Sequence, residues 1–120
     1  MEKQESRQLA AIAARAMEEK LGEDIRVLEI NEISPLADYF VIGTGRNLNQ
    51  TQAMADAVEE QAARAGFFPD HIEGHRNANW TLIDFKGVVV HIFDEEARSF
   101  YDLDRIWKDG KAVDPAELEA

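Results

Sequence analysis

The segment from Trp80 to Phe93 constrains the fold most, because its pattern is that of a β-hairpin. Its arms are Trp80-Thr81-Leu82-Ile83-Asp84-Phe85 and Val88-Val89-Val90-His91-Ile92-Phe93, joined by Lys86-Gly87. β-Branched and aromatic side chains suit a pleated surface. Glycine in a two-residue turn accepts a positive φ without steric cost. Side chains alternate across a strand, so this loop makes Phe85 face Val88, Ile83 face Val90 and Thr81 face Ile92. That apolar layer is expected on the core. The other face sets Trp80, Leu82 and Asp84 against Phe93, His91 and Val89. A carboxylate and an imidazole among large apolar groups mark it as a surface that another molecule covers.

Around the hairpin, the periodicity predicts a helix over about residues 6–21, with Leu9, Ile12, Ala13, Ala16, Met17 and Leu21 on one stripe and Gly22 as its stop. Residues 25–30 alternate as a half-buried strand does. Asp38-Tyr39-Phe40-Val41-Ile42 is almost wholly apolar and is expected as a central strand ended by Gly43-Thr44-Gly45. A second helix is expected over about 49–65, capped by Asn47 or Asn49 and stopped by Gly66. A short strand follows around His71 to Arg76. After the hairpin, Asp94-Glu95-Glu96 opens another helix at the positive end of its dipole. Phe100, Leu103 and Trp107 are candidates to pack on the sheet, with Tyr101 extending the mixed face. The order helix, strand, strand, helix, strand, strand, strand, helix predicts an α/β domain, a mixed sheet flanked by helices.

A chain of 120 residues with 45% hydrophobic side chains supports one domain with one ordinary core. That domain is expected over residues 1–108. Residues 109–120 lack a core pattern and are expected to form a flexible tail. Cysteine is absent, which removes disulfides, thiol catalysis and zinc–thiolate sites. The polar, acidic start Met1-Glu2-Lys3-Gln4-Glu5 resembles neither a secretory signal nor an Arg-rich transit peptide, and no apolar run is long enough to span a bilayer. A cytoplasmic protein is the expectation. The formal net charge of −11 repels nucleic acid and fits a basic protein partner better, although net charge by itself is more simply read as serving solubility.

The motifs that would carry catalysis are incomplete. Gly43-Thr44-Gly45 stands where phosphate loops occur, but position 48 is leucine and no Gly-Lys-Ser or Gly-Lys-Thr follows. The simpler expectation is a plain strand-to-helix turn. The element order is also that of nucleotidyltransferases, whose metals need carboxylates two apart on a strand. The Asp-x-Asp here, Asp102-Leu103-Asp104, falls in a predicted helix, while Asp38 and Asp84 stand singly. His71, Glu73 and His75 share a strand face but lack an evident fourth ligand. His91 and Asp84 form a conceivable acid–base pair, yet without a nucleophile or oxyanion site a structural or interface hydrogen bond is the simpler role. No catalytic residue, metal or cofactor is expected.

At these residues the chain resembles the ribosomal silencing factor family, also called the Iojap family. The matching segments are Asp38-Tyr39-Phe40-Val41-Ile42 with Thr44-Gly45, Glu73-Gly74, Trp80 to Phe85, Val88 to Phe93, and Phe100-Tyr101-Asp102-Leu103-Asp104-Arg105-Ile106-Trp107. They span about residues 6–108 and are specific when taken in order. The resemblance implies a non-enzymatic domain of nucleotidyltransferase-like fold. It implies a translational repressor that binds large-subunit ribosomal protein fourteen and blocks subunit joining when nutrients are short. It also implies a homodimer in the free state, and partner-binding positions at Trp80, Leu82, Asp84, His91, Phe93, Tyr101 and Leu103. The chain departs from the family pattern at Phe85, at the Lys86-Gly87 turn and in the Arg46-Asn47-Leu48-Asn49 loop, which is left without a role. The rival readings are a dimeric scaffold and a nucleotide-transferring enzyme.

Overall fold

The computed structural model describes residues 1–74, 79–106 and 108–118, with the side chains of Asp104 and Ile106 outside the description. The sequence readings at His75, Arg76 and Trp107 therefore lie outside the described residues. The elements run α1 (Lys3–Glu19), β1 (Glu23–Glu29), β2 (Tyr39–Gly45), α2 (Leu48–Arg64), β3 (His71–Glu73), β4 (Trp80–Asp84), β5 (Val88–Asp94), α3 (Glu95–Tyr101), α4 (Leu103–Ile106), β6 (Lys111–Val113) and α5 (Pro115–Leu118). The strands form one mixed sheet in the order β3-β4-β5-β2-β1-β6. β2 and β5 pair in parallel, while the other neighbours are antiparallel. β2 is central and buried along its whole length, as its apolar sequence requires.

The sheet separates two cores. On one face α1, α2 and α5 cover Val27, Tyr39, Val41, Ile83, Phe85, Val88, Val90 and Ile92. The inner stripe of α1 is rich in alanine, from Ala10 to Ala16, and α1 packs directly on α2. Small side chains there serve helix propensity and close approach together. On the other face Leu28, Ile30, Phe40, Ile42, Val89 and Phe93 form a smaller core with Ala97 of α3 and Leu103 of α4.

Several local expectations change in the folded chain. Gly43-Thr44-Gly45 is not a turn: its residues are the last three of β2, paired within the sheet. A Cβ at Gly43 would lie 2.6 Å from Met17 Sδ, and one at Gly45 would lie 2.7 Å from Thr51 Cγ2. These glycines let α1 and α2 approach the strand. The turn falls one residue later, where the Asn47 side chain caps α2 by accepting the Gln50 N–H at 2.9 Å. Gly66, at φ 90°, ends α2 as expected.

The stop of α1 falls on an unexpected residue. Gly22 N–H donates to Met17 C=O at 2.9 Å and Leu21 N–H to Glu18 C=O at 2.9 Å, the two bonds of a Schellman ending. The left-handed residue is therefore Leu21, at φ 63° and 79% exposed. Gly22 is small for another reason: a Cβ there would meet Met54 Cε at 2.7 Å. Leu21→Gly removes the left-handed penalty at little cost in buried area. It is expected to stabilise the protein by about 1 kcal/mol, offset in part by unfolded-state entropy. Urea unfolding measures this, and a lower midpoint for Leu21→Gly would refute it.

The C-terminal segment carries more structure than its sequence pattern indicated. β6 pairs with β1, setting Val113 against Val27, and α5 packs on α1. Leu118 is buried in the larger core, and Arg7 donates to the Glu117 carbonyl at 2.7 Å. A single apolar residue seated in a groove leaves no periodic signature in the sequence, so the pattern missed it. Among the described residues no helix is long and apolar enough to cross a membrane.

Candidate functional site: the aromatic face of the hairpin

The hairpin pairs in the predicted register. Trp80 lies opposite Phe93, Thr81 opposite Ile92, Leu82 opposite His91, Ile83 opposite Val90 and Asp84 opposite Val89. Phe85 N–H closes the turn on Val88 C=O at 2.9 Å. The positive φ sits on Lys86, at 77°, and not on Gly87. The Asp84 carboxylate steadies that turn by accepting the Lys86 N–H at 2.7 Å. Gly87 answers a packing demand instead, because a Cβ there would fall 2.2 Å from the buried Ser6 Oγ.

The predicted site residues divide by burial. Trp80, Leu82 and Asp84 are half-buried, and Tyr101 is 37% exposed. His91, Phe93 and Leu103 are buried within the chain itself. The face is thus layered, with a covered floor under an open rim. The Trp80 ring lies 5.0 Å from that of Phe93 and 4.5 Å from that of Tyr101, centroid to centroid. Phe100 extends the row, its ring edge-on to Tyr101 at 5.1 Å and 76% exposed. The sequence placed Phe100 among candidates for the sheet core. The helix phase decides otherwise: Ala97 and Arg98 turn inward, and Phe100 turns out.

Two features hold α3 in that phase. The Asp94 carboxylate caps it by accepting the Ala97 N–H at 2.8 Å. Arg98, buried, donates from Nη1 to Thr44 Oγ1 at 2.7 Å, and its Nη2 lies 3.2 Å from Asp24 Oδ2. Thr44, read in the sequence as part of a turn, instead anchors α3 to the end of β2. Asp102, at φ 47°, ends α3 and lets α4 start in a new direction, which brings Leu103 onto the sheet.

His91 does not pair with Asp84. Its Nδ1 accepts the Trp80 indole N–H at 3.1 Å, while its buried Nε2 has no partner among the described residues. Burial lowers its pKa from 6.5 to about 4. The sign of the linkage follows from that direction. The unfolded chain takes up the proton below pH 6.5, and the folded chain resists it until about pH 4. Stability is therefore lost as pH falls through this window, by roughly 3–4 kcal/mol in all at ~1.4 kcal/mol for each pH step. Urea unfolding of wild type and His91→Asn between pH 7.5 and 4 isolates this contribution. Equal slopes for the two proteins would rule it out. The exposed His71 behaves oppositely, its pKa raised by the Glu73 carboxylate 2.8 Å away.

Among the described residues no three His, Asp or Glu side chains gather as a metal site needs. The site offers apolar rings, a half-buried indole and a flanking carboxylate, which is chemistry for contact with another macromolecule.

Comparisons with known proteins agree with the fold. Residues 3–120 match the family model described as ribosomal silencing factor during starvation. The ribosomal silencing factor of Bacillus subtilis is 41% identical over 103 residues, covering 86% of this chain and 87% of that protein. The ribosomal silencing factor of Halalkalibacterium halodurans is 34% identical over 109 residues, covering 91% of this chain and 93% of that one. A crystal structure of a Chromobacterium violaceum protein superposes with a TM-score of 0.83 at 31% identity, covering 100% of both chains. With its six-stranded mixed sheet and this match along nearly its whole length, the chain belongs to the ribosomal silencing factor family.

Proposed function

We propose that this protein is a cytoplasmic translational repressor that binds large-subunit ribosomal protein fourteen and sterically blocks joining of the two ribosomal subunits when nutrients are limited. The observation that carries this reading is the open aromatic rim of Trp80, Tyr101 and Phe100 on a chain of net charge −11. Exposed aromatic side chains over a packed floor make good anchors in a partner's pocket. The acidic surround speeds approach to a basic ribosomal protein and weakens with salt. In the free state the same rim is covered by a second copy of the chain, so dimer and ribosomal complex compete.

Co-sedimentation with isolated large ribosomal subunits tests the reading, alongside reassociation of the two subunits at increasing protein. Binding at low salt with suppressed joining is the expected result. A protein that neither sediments with large subunits nor slows joining overturns it. A dimer that persists unchanged beside excess large subunits would favour the scaffold reading.

A further inference from the structure

We infer that His91 is a positioning residue for this interface: held beneath the rim, it fixes the pose of the Trp80 indole and does not itself touch the partner. This rests on the ribosome-binding reading above. His91 is only 4% exposed, too little to serve as a contact. Its ring lies between that of Phe40, edge-on at 4.8 Å, and that of Phe93, parallel at 6.3 Å, so it cannot swing outward without opening the smaller core. Its one hydrogen bond among the described residues reaches upward to the Trp80 indole at 3.1 Å.

Packing alone does not account for an imidazole here. Because Nδ1 accepts the indole proton, the proton of the neutral ring sits on Nε2, where nothing among the described residues accepts it. A buried donor left unsatisfied is costly, and leucine or phenylalanine would fill the space without that cost. What the imidazole supplies, and an apolar side chain cannot, is an acceptor for the indole. The indole is half-buried, and its ring contacts with Phe93 and Tyr101 do not by themselves choose which ring edge faces outward. The hydrogen bond makes that choice before the partner arrives, and a rigid anchor spends less entropy on binding.

The surroundings keep the imidazole in its accepting form. Its strand neighbours Leu82 and Ile42 carry no charge. Asp84, on the same face of β4, is engaged with the Lys86 N–H. From α3, the Arg98 guanidinium is turned to Thr44 and Asp24, and the Tyr101 ring packs on Trp80.

A double-mutant cycle read by binding to large ribosomal subunits tests the inference, in full-length protein checked for folding. His91→Leu is expected to weaken binding about tenfold in the wild-type background. In a Trp80→Phe background, where no indole N–H remains, the same change should cost less than about twofold. His91→Asn, whose Oδ1 takes the place of Nδ1, should recover most of the loss. Equal losses in both backgrounds, or an asparagine no better than leucine, overturn the inference. The indole N–H resonance of Trp80, followed in ¹⁵N-labelled Trp107→Phe protein, supplies a readout independent of the ribosome. Protection from solvent exchange should be present with His91 and lost in His91→Leu. Should the wild type fail to bind large subunits, the functional reading falls. The resonance then decides alone: protection that survives His91→Leu overturns the positioning role, and its loss retains it.

Discussion

Phe93→Ala is expected to cost about 3–5 kcal/mol of folding stability, the range for truncating a large ring in a packed core. Phe93 has no exposed surface, and it joins Phe40, Ile42, Val89, Ala97 and Leu103 in the smaller core. Its ring also supports Trp80 and Tyr101. A domain of this size has roughly 5–15 kcal/mol of stability, so the variant keeps little reserve. Chemical denaturation measures the loss. A Phe93→Ala protein within about 1 kcal/mol of wild type would show that this residue is a surface anchor and not the floor of the face. The same measurement therefore separates two roles that the sequence assigned to one list of partner-binding positions.

Trp80→Ala is expected to leave the fold intact and to weaken binding to large ribosomal subunits by ~2 kcal/mol or more, about thirtyfold in affinity. The half-buried indole contributes to stability through Phe93 and Tyr101, yet no core residue depends on it alone. The expected loss falls at the rim, where the proposed partner would complete its burial. Circular dichroism and a denaturation curve establish folding before the affinity is read. Unchanged affinity in a folded Trp80→Ala protein would remove this residue from the contact surface and, with it, the centre of the proposed interface.

The two predictions depend on a division that alternation along a strand does not supply. Period two places Trp80, Leu82, Asp84, His91 and Phe93 on one face of the hairpin, and the register is as the turn length required. It is silent on how much of that face the chain itself covers. Cover comes from α3 and α4, whose placement rests on an Arg98 bond across to Thr44 and on the left-handed Asp102. Both are contacts between residues far apart in sequence or single backbone choices, and neither leaves a periodic trace. Phe100 is the clearest case: an apolar residue next to Tyr101 reads as core, and only the phase of α3 turns it to solvent.

Glycines show the same limit from another side. At Gly66 the sequence rule held, because the end of α2 needs a positive φ and nothing crowds that site. At Gly22, Gly43 and Gly87 the residue is small because Met54, Met17 or Ser6 stands against it, while the positive φ values fall on neighbours such as Leu21 and Lys86. Close approach between segments cannot be read from local propensity.

The sequence by itself determined the element order through β5 and α3, the hairpin register, the central β2 strand and the family, because these rest on local periodicity, turn chemistry and ordered motifs. Only the tertiary structure decided which side of the mixed face is floor and which is rim, that His91 serves Trp80 and not Asp84, and that Leu118 closes the larger core. The reason is physical: burial and hydrogen-bond choice depend on what distant segments bring to a side chain, and a one-dimensional pattern records only which face that side chain is on.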